Sequence, residues 1–400
     1  MYFGAVAPGI DNRRTDGAVV PVDSASDHAL ASGPAIRKPL PAAWFNDHEH
    51  NADMVWSPDV HEGDACTPIE RFFVRNHSRT PTIDPATYRL AVHGGGLEGS
   101  PGRDDAVRFG YDELRAMPTV TVSAVLECTG NGRTYFETQQ QMPVPGTAWT
   151  MGGVGAATWT GVPLREILTQ AGITKDAVDV MAVGLDEAYV DADGVDHGTV
   201  RRPLPVHKAL DDVLLVLAMN GEPLRPDHGY PVRLLVPGWV GIASIKWLGE
   251  LEVATRPLSS PWTTTFYRMH GGNYPADAAP LAEMPPKSVW ELGWEARLPV
   301  NQPTVLRGRS WSGAGRVADV EVSLDGGSSW QRPRFVDDPV AVDRYAWVRW
   351  EVAFTPPTSG RFELLARTTD VTGLTQPDAV LFNDQGYMFW GVVRHPVVVT

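Results

Sequence analysis

Prolines and glycines are spread along the whole chain, and they limit the regular elements that it can form. The 400 residues include 34 prolines and 39 glycines, together with 14 tryptophans. Proline breaks the interior of a helix and glycine weakens it, so this usage favours short strands and turns over long helices. The length predicts about two domains. Hydrophobic residues make up 43% of the chain, which is enough for a sizeable core.

The first part of the chain mixes strand-like and helix-like segments. The predicted strands are Arg71–His77, Thr87–Gly94 and a buried strand at Tyr230–Pro237. The predicted helices are Tyr111–Met117 and Val162–Gly172. In the second helix, Pro163 suits the first turn and Gly172 suits the end. We therefore expect a mixed α+β domain over residues 44–270, preceded by an extended arm at residues 1–43.

The last part of the chain has a different period. Apolar residues alternate in Val317–Leu324 and again at Trp350, Val352 and Phe354, with Gly- and Pro-containing turns between the segments. Alternation of this kind places one side of each strand in a core. Residues 271–400 are therefore predicted to form an all-β sandwich.

Charge and hydropathy exclude some partners. The formal net charge is −14, which argues against nucleic acid and against an anionic membrane surface. No apolar stretch approaches the ~20 residues that a membrane span needs. Arg13 and Arg14 are followed by polar residues instead of an apolar segment, so no signal peptide is predicted. We expect a cytoplasmic protein, or a periplasmic or exported one if an export signal has been trimmed.

Cys128 is the candidate for metal or nucleophilic chemistry. Because the chain has only two cysteines, Cys66 and Cys128, four-cysteine zinc and iron–sulfur sites are excluded. Cys128 ends a strand-like run and is followed by Gly130 and Gly132, which would let the backbone approach a large cofactor, and by the cation Arg133. A thiolate is both a soft ligand and a nucleophile. The competing interpretations are a buried structural thiol and a disulfide with Cys66.

Cationic residues recur in apolar segments and suit an anionic ligand. Alternation along a strand would place Arg75 and His77 on one face, as a compact anion-binding pair. His228, Arg233 and Lys246 lie in an apolar, loop-rich segment and suit a phosphate. Taken singly, each group is equally explained by ordinary surface charge.

The order of the motifs resembles that of the sulfite oxidase family of molybdenum enzymes. The chain carries, in sequence, F-F-x-R-N-H, E-C-x-G-N-x-R, G-L-D, M-N-G-E-P-L-x-x-x-H-G-Y-P-V-R, S-x-K-W-L, S-W-S-G-x-G-x-V and S-L-D-G-G-x-x-W. The resemblance covers residues 44–400. It implies a mixed α+β domain that binds molybdopterin, followed by an immunoglobulin-like domain that mediates homodimer formation.

The resemblance also implies a cofactor and its ligands. Cys128 corresponds to the cysteine that binds molybdenum, and the dithiolene of the pterin and oxo groups would complete the site. The implied cofactor is molybdenum–molybdopterin. The residues that correspond to its other contacts are Phe73, Val74, Arg75, Asn76, His77, Asp186, His228, Arg233, Ser244, Ile245 and Lys246.

The implied substrate pocket contains Arg75, Arg133 and Trp149, beside Cys128. The family's chemistry is oxygen-atom transfer at molybdenum, to or from a small oxyanion such as sulfite or an S- or N-oxide. The arginine forks would hold the anion. Because the chain has no haem-attachment motif, the electrons would pass to a separate acceptor such as a cytochrome.

Three positions depart from the family pattern. Leu217 stands where the family has an active-site tyrosine, two residues before M-N-G. Gln385 stands where many members have a third substrate arginine, and Gly132 replaces the first arginine of C-x-G-N-R-R. The predicted pocket has therefore lost a charge and a hydroxyl.

Three alternative functions stay open, and the first two rest on these departures. One is a catalytically altered relative that acts on another S- or N-oxygenated substrate, and another is a non-catalytic dimeric binding protein. From the residues alone, a hydrolase that pairs Cys128 with His77 or His228 also stays open.

Overall fold

The computed structural model describes residues 35–61 and 63–400. Within these residues, no helix is long and apolar enough to cross a bilayer. The predicted arm at residues 1–43 lies mostly outside them, because its first 34 residues are not described.

The described end of the arm is anchored to the first domain. The backbone N–H groups of Arg37 and Lys38 donate to the carboxylate of Asp227 at 2.8–3.1 Å. Thr80 donates to the same carboxylate at 2.6 Å and also to the carbonyl of Ala35. A charge-assisted anchor of this kind fixes residues 35–38 in place. The last part of the predicted arm therefore packs as part of the domain.

Three sheets build the first domain. Its strands are β1 (Phe45–Asp47), β2 (Asn51–Met54), β3 (Val74–Arg75), β4 (Arg89–His93), β5 (Val107–Gly110), β6 (Val120–Glu127), β7 (Val154–Pro163), β8 (Asp179–Gly184), β9 (Arg201–Pro205), β10 (Leu214–Met219), β11 (Glu222–Pro223), β12 (Arg233–Leu235) and β13 (Leu248–Ala254). The sheet orders are β1–β2–β3, β11–β10–β7–β6 with β12 also on β10, and β5–β4–β13–β8–β9. The pair β4 and β13 is parallel, and the other pairs in these sheets are antiparallel.

The helices are short, as the proline and glycine content predicts. They are α1 (Tyr111–Ala116), α2 (Thr134–Thr138), α3 (Leu164–Gln170), α4 (Val206–Asp211) and α5 (Pro261–Thr264). The two predicted helices are confirmed as α1 and α3. Pro163, however, ends strand β7 and caps α3 from outside instead of forming its first turn. Gly172, at φ +83°, lies just past the end of α3, where a left-handed residue is usual.

Two predicted strands are shorter than expected. Of Arg71–His77, only Val74 and Arg75 form a strand, because the N–H groups of Arg71 and Phe72 turn back to the carbonyls of Pro68 and Ile69. The buried strand predicted at Tyr230–Pro237 is limited to β12. Apolar runs in loops resemble short strands, and only the backbone partners distinguish the two.

The second domain is the predicted β-sandwich. Its strands are β14 (Lys287–Trp290), β15 (Ala296–Leu298), β16 (Thr304–Trp311), β17 (Val317–Ser323), β18 (Arg334–Phe335), β19 (Val348–Phe354), β20 (Gly360–Asp370) and β21 (His395–Val399). They form two four-stranded sheets, β14–β16–β19–β18 and β15–β21–β20–β17. The predicted inward residues Val320, Val322, Trp350 and Phe354 are buried in one core between the sheets. The mixed α+β domain followed by an all-β sandwich is therefore confirmed.

A buried ion pair joins the two domains beside the predicted metal ligand. Lys287 of the sandwich donates to Glu127 Oε1 at 2.6 Å and to the carbonyl of Asn131 at 3.1 Å. Trp311 donates to Glu127 Oε2 at 2.9 Å, and Asn131 Nδ2 donates to Glu127 Oε1 at 2.9 Å. Asn131 Oδ1 accepts from the N–H of Gly153. All four side chains are buried, so this network satisfies the two charges without water.

We predict that Lys287→Met destabilises the protein by about 3–5 kcal/mol, because it leaves the Glu127 carboxylate buried without its cation. Urea unfolding of the variant and the parent, followed by fluorescence, measures the change. The matched control is Arg361→Met, since Arg361 pairs with Glu295 on the surface. That change should lower stability by less than about 1 kcal/mol. Equal shifts for the two variants would contradict the prediction.

Candidate functional site

One cleft in the first domain gathers the predicted cofactor residues. Eleven of the twelve predicted cofactor positions line it, namely Phe73, Arg75, Asn76, His77, Cys128, Asp186, His228, Arg233, Ser244, Ile245 and Lys246. Val74 is the exception, because it is buried on strand β3, where it pairs with Ala52 of β2. Residues that are up to 173 positions apart in the sequence, from Phe73 to Lys246, therefore meet at one site.

The cleft lies where strands and turns from all three sheets end. Cys128 follows the last residue of β6, and Arg75 ends β3. Asp186 lies two residues past the end of β8. His228 closes a 3₁₀ turn before β12, and Lys246 follows a second 3₁₀ turn. Loop residues on a rigid scaffold are where binding groups are concentrated.

The cysteine at the centre of the cleft is a free thiol. Both Cys66 and Cys128 are unpaired, so the alternative of a disulfide between them is wrong. The loop at Cys128 is held by two backbone hydrogen bonds, from its N–H to Gly153 and from the N–H of Asn131 to its carbonyl. Burial raises the pKa of the Cys128 thiol, whereas the charge of Arg75 lowers it. A thiolate here therefore needs a cationic partner, such as a metal ion.

The glycines after Cys128 serve packing within the protein. A Cβ at Gly130 would lie 3.0 Å from Arg133 Nη2 and from Trp149 Cδ1. Gly132 has φ +87°, and a Cβ there would lie 3.2 Å from Met151 Sδ. Close packing against protein atoms already requires glycine at both positions, and their approach to a cofactor stays a prediction.

Several cations in the cleft are buried, and the nearby carboxylates of Asp186 and Asp227 do not offset the cost for Lys246. Burial lowers the pKa of Lys246 and of His228 well below their ordinary values, and it lowers the pKa of Arg233 to about 9. Burial and the nearby charge of Arg75 likewise hold His77 neutral. A bound phosphate would favour the charged forms. The cleft is therefore suited to an anionic group.

Other contacts hold these cations in fixed positions. Arg233 donates to the backbone carbonyls of His228 and Ser244, each at 3.1 Å. Lys246 donates to Asn76 Oδ1 and, at 2.8 Å, to the carbonyl of Asp227. The donors are thus positioned in advance, which lowers the entropy that binding must remove.

Four polar atoms on the cleft wall have no hydrogen-bond partner among the described residues. They are Arg75 Nη1, Thr129 Oγ1, Asp186 Oδ1 and His228 Nε2, and each is buried. Buried polar atoms in native proteins are nearly always paired. Guanidinium and imidazole nitrogens, a hydroxyl and a carboxylate together match a ligand that has both phosphate oxygens and ring N–H donors, as molybdopterin does. The residues present therefore fit this cofactor.

The metal itself would depend on the cofactor for most of its ligands. Within residues 35–61 and 63–400, no group of three or more His, Cys, Asp or Glu side chains could hold a metal ion. Cys128 is the one cysteine on the cleft wall. One thiolate plus the two sulfurs of a dithiolene would give a soft ligand set of the kind that such a metal prefers.

Two of the predicted substrate residues, Arg133 and Trp149, pack beside Gly130 and do not line the cleft. Arg133 donates to the carbonyls of Thr147 and Gly386, at 3.0 and 3.3 Å. Trp149 is 2% exposed and its ring faces Phe73 at 6.4 Å. Neither side chain belongs to the cleft wall, whereas Arg75 does. The roles of Arg133 and Trp149 at a substrate stay predictions.

The sequence analysis missed several residues of the cleft. Asp227 holds the N-terminal segment and its carbonyl accepts from Lys246. Tyr267 comes from the segment between the two domains, which shows no period. Asp227 occurs inside the matched motif, at an unspecified position. Motif spacing could have identified Asp227 as a candidate, but no local signal marks Tyr267.

Two family models match the chain. The oxidoreductase molybdopterin binding domain matches residues 77–262, and the Mo-co oxidoreductase dimerisation domain matches residues 284–396. Together with the cleft, these matches define a molybdopterin-dependent oxidoreductase whose second domain supports a homodimer.

Similarity to known proteins assigns the chain to the same class of enzyme. The chain is 32% identical to mitochondrial sulfite oxidase of Mus musculus over 381 residues, which are 91% of this chain and 67% of the mouse protein. It is 31% identical to the NADH nitrate reductase of Hordeum vulgare over 390 residues, which are 90% of this chain and 41% of the barley protein. The solved structure of the sulfane dehydrogenase SoxCD from Paracoccus pantotrophus matches with a TM-score of 0.72 and 27% identity, covering 94% of each chain. The chain belongs to the sulfite oxidase family.

We predict that Cys128→Ser abolishes molybdenum binding, because the hydroxyl is a harder and more weakly binding ligand than the thiolate. Elemental analysis should find about one molybdenum per parent chain. Cys66→Ser is the matched control, since Cys66 lies outside the cleft wall. Retention of the metal in Cys128→Ser, or its loss in both variants, would contradict the assignment.

The pH dependence of stability tests the environment of Asp186. Burial raises the pKa of Asp186 from 3.8 to about 7. Between these values the folded, cofactor-free protein keeps a proton that the unfolded chain has lost. Asp186 therefore lowers the free energy of unfolding as the pH rises through this window, by up to roughly 1.4 kcal/mol per pH unit. Asp186→Asn should remove this loss.

Urea unfolding of cofactor-free parent and Asp186→Asn at about pH 4.5 and about pH 8 makes the measurement. The variant should gain stability relative to the parent at the higher pH. A constant difference between the two proteins would show that the folded-state pKa of Asp186 is not raised.

Proposed function

We propose that this protein oxidises a small sulfur oxyanion such as sulfite and passes the electrons to a separate acceptor. The observation that carries the proposal is Arg75. Its Nη1 is buried and unpaired among the described residues, on the same cleft wall as Cys128. A free guanidinium N–H beside the metal ligand is a donor for an anionic substrate.

The residues of the chain would divide into three roles. Cys128 would bind the metal through its sulfur. The cofactor phosphate would be held by cationic and backbone groups at His228, Arg233, Ser244, Ile245 and Lys246, and Asp186 would accept from ring N–H groups. When bound, the cofactor supplies oxygen-atom transfer coupled to a two-electron change at molybdenum.

The protein's own contribution is positioning and electrostatics. Arg75 would orient the substrate oxyanion. The charge of Arg133, which lowers the pKa of the Cys128 thiol, would add to the positive field around the anion. The backbone bonds that hold residues 128–131 would keep the sulfur in place. The neutral side chain of His77 would accept a hydrogen bond without adding charge, as it does from Trp262.

A second candidate substrate is a sulfane sulfur compound. The solved structure of the sulfane dehydrogenase SoxCD covers 94% of this chain. Position 385, where the family pattern has an arginine, is a neutral glutamine here. Loss of this cation weakens the hold on the oxygens of sulfite relative to a substrate that presents a sulfane sulfur to the metal.

Steady-state assays of the molybdenum-loaded protein test both candidates. Sulfite, thiosulfate and a panel of S- and N-oxides are supplied in turn, with ferricyanide or a cytochrome c as acceptor for the first two. Turnover of sulfite supports the proposal, and turnover of thiosulfate alone supports the second candidate. Turnover of neither substrate would overturn both.

We predict that Arg133→Gln raises the apparent KM for sulfite by a few-fold, up to roughly tenfold, because a positive charge close to the anion is lost but no direct hydrogen bond is. Its molybdenum content should equal that of the parent. The matched control is Arg361→Gln at the surface, which removes the same charge far from the cleft and should leave the KM unchanged. An unchanged KM for sulfite would remove Arg133 from the substrate's field.

A further inference from the structure

Tyr267 brings a hydroxyl into the cleft from outside the family motifs. It lies between helix α5 and strand β14, and it lines the cleft together with Arg75, His77 and Cys128. It is buried, with φ +57°. A bulky residue rarely adopts this left-handed backbone, and such conformations are concentrated at functional sites.

Among the residues that the structure describes, the hydroxyl of Tyr267 has one side-chain partner, His77, which also contacts Trp262. His77 Nε2 lies 3.2 Å from Tyr267 Oη and also 3.2 Å from Trp262 Nε1. An indole nitrogen can only donate, and a neutral imidazole nitrogen has a single lone pair. Because the indole nitrogen can act only as a donor, the lone pair of His77 Nε2 accepts the N–H of Trp262. The proton of Tyr267 is therefore free to point at a ligand in the cleft.

The ring of Tyr267 is held firmly. It stacks on Tyr387, with centroids 5.2 Å apart and planes 9° from parallel. The guanidinium of Arg133 lies 5.6 Å from the centre of the Tyr387 ring. The carbonyl of Tyr267 accepts from the N–H of Leu281 at 2.8 Å. A preorganised donor of this kind needs little rearrangement to bind a substrate.

The electrostatic surroundings keep the hydroxyl of Tyr267 protonated. Burial raises the pKa of Tyr267, whereas the charges of Arg75 and Arg133 lower it. The Cys128 thiol is a further group that influences its pKa. The phenol is therefore protonated at neutral pH and lies in the field of both arginines.

Leu217 supplies no hydroxyl to the cleft in this chain. Leu217 is buried in the same core cluster as Leu215 and Val232, and it does not line the cleft. Leu214 and Val216 of the same strand belong instead to the cluster that contains Cys128. The leucine at position 217 therefore packs on the core side of β10.

We infer that Tyr267 is the hydroxyl that donates a hydrogen bond to the bound oxyanion, next to Arg75. This role deepens the proposed function and rests on it. The substrate site is then built by three parts of the chain: the strand that carries Arg75, the loop of Cys128, and the segment between the domains that carries Tyr267.

Kinetics of Tyr267→Phe test the inference. The variant keeps the ring and its stacking, so its molybdenum content should match that of the parent. Its apparent KM for sulfite should rise roughly tenfold, because one hydrogen bond to a charged group is lost. Tyr274→Phe, in the same segment and outside the cleft wall, is the matched control and should be unchanged.

Two further measurements separate the outcomes. If Tyr267→Phe does not load molybdenum, 3-fluorotyrosine at position 267 replaces it. This residue keeps the fold and is a stronger donor, so it should lower the KM for sulfite, and an unchanged KM would overturn the inference. Urea unfolding of the Tyr267→Phe variant should match that of the parent, and a large loss of stability would give Tyr267 a structural role and overturn the inference.

The failure of the proposed function is a different result. In that case the parent protein itself does not oxidise sulfite, whatever residue is at position 267. An active parent with an unaffected, molybdenum-loaded Tyr267→Phe variant would leave the proposed function standing and remove Tyr267 from the site.

Discussion

The buried carboxylate of Glu127 is the contact on which the rest of the structure depends. It directly precedes Cys128, and its partners Lys287 and Trp311 belong to the other domain. Removal of charges from water is unfavourable unless every lone pair is satisfied, and here both oxygens are. The sandwich therefore does more than support a dimer, because it holds the loop that carries the predicted metal ligand. Neither domain can complete this loop alone.

The cleft beside that loop is built at the expense of local stability. Several cations are buried in it with strongly lowered pKa values, and polar atoms on its wall lack partners. A ligand that is anionic at one end and rich in hydrogen-bonding groups at the other would satisfy both. Binding of such a ligand stabilises the folded state by mass action. The cofactor is thus expected to be part of the fold's stability as well as of its chemistry.

The motif positions could be predicted well, and their surroundings could not. Arg75 and His228 were identified from their segments, and both line the cleft. The spacing of motifs carries this information because each motif follows the end of one strand. The packing partners of Gly130 and Gly132 could not be predicted, because Trp149, Met151 and Phe389 are distant in sequence. Leu217 was correctly seen as a missing hydroxyl, but not as a residue that faces the core.

The sequence by itself determined the two-domain order, the short elements, the Cys128 thiol as the candidate ligand and the cations of the cleft. These properties depend on local period, composition and spacing. Only the tertiary structure decided that Tyr267 reaches the cleft, that Glu127 is paired across the domains, and that Cys66 stays apart from Cys128. Such contacts join residues that are far apart along the chain, so they depend on how the sheets pack and not on any local pattern.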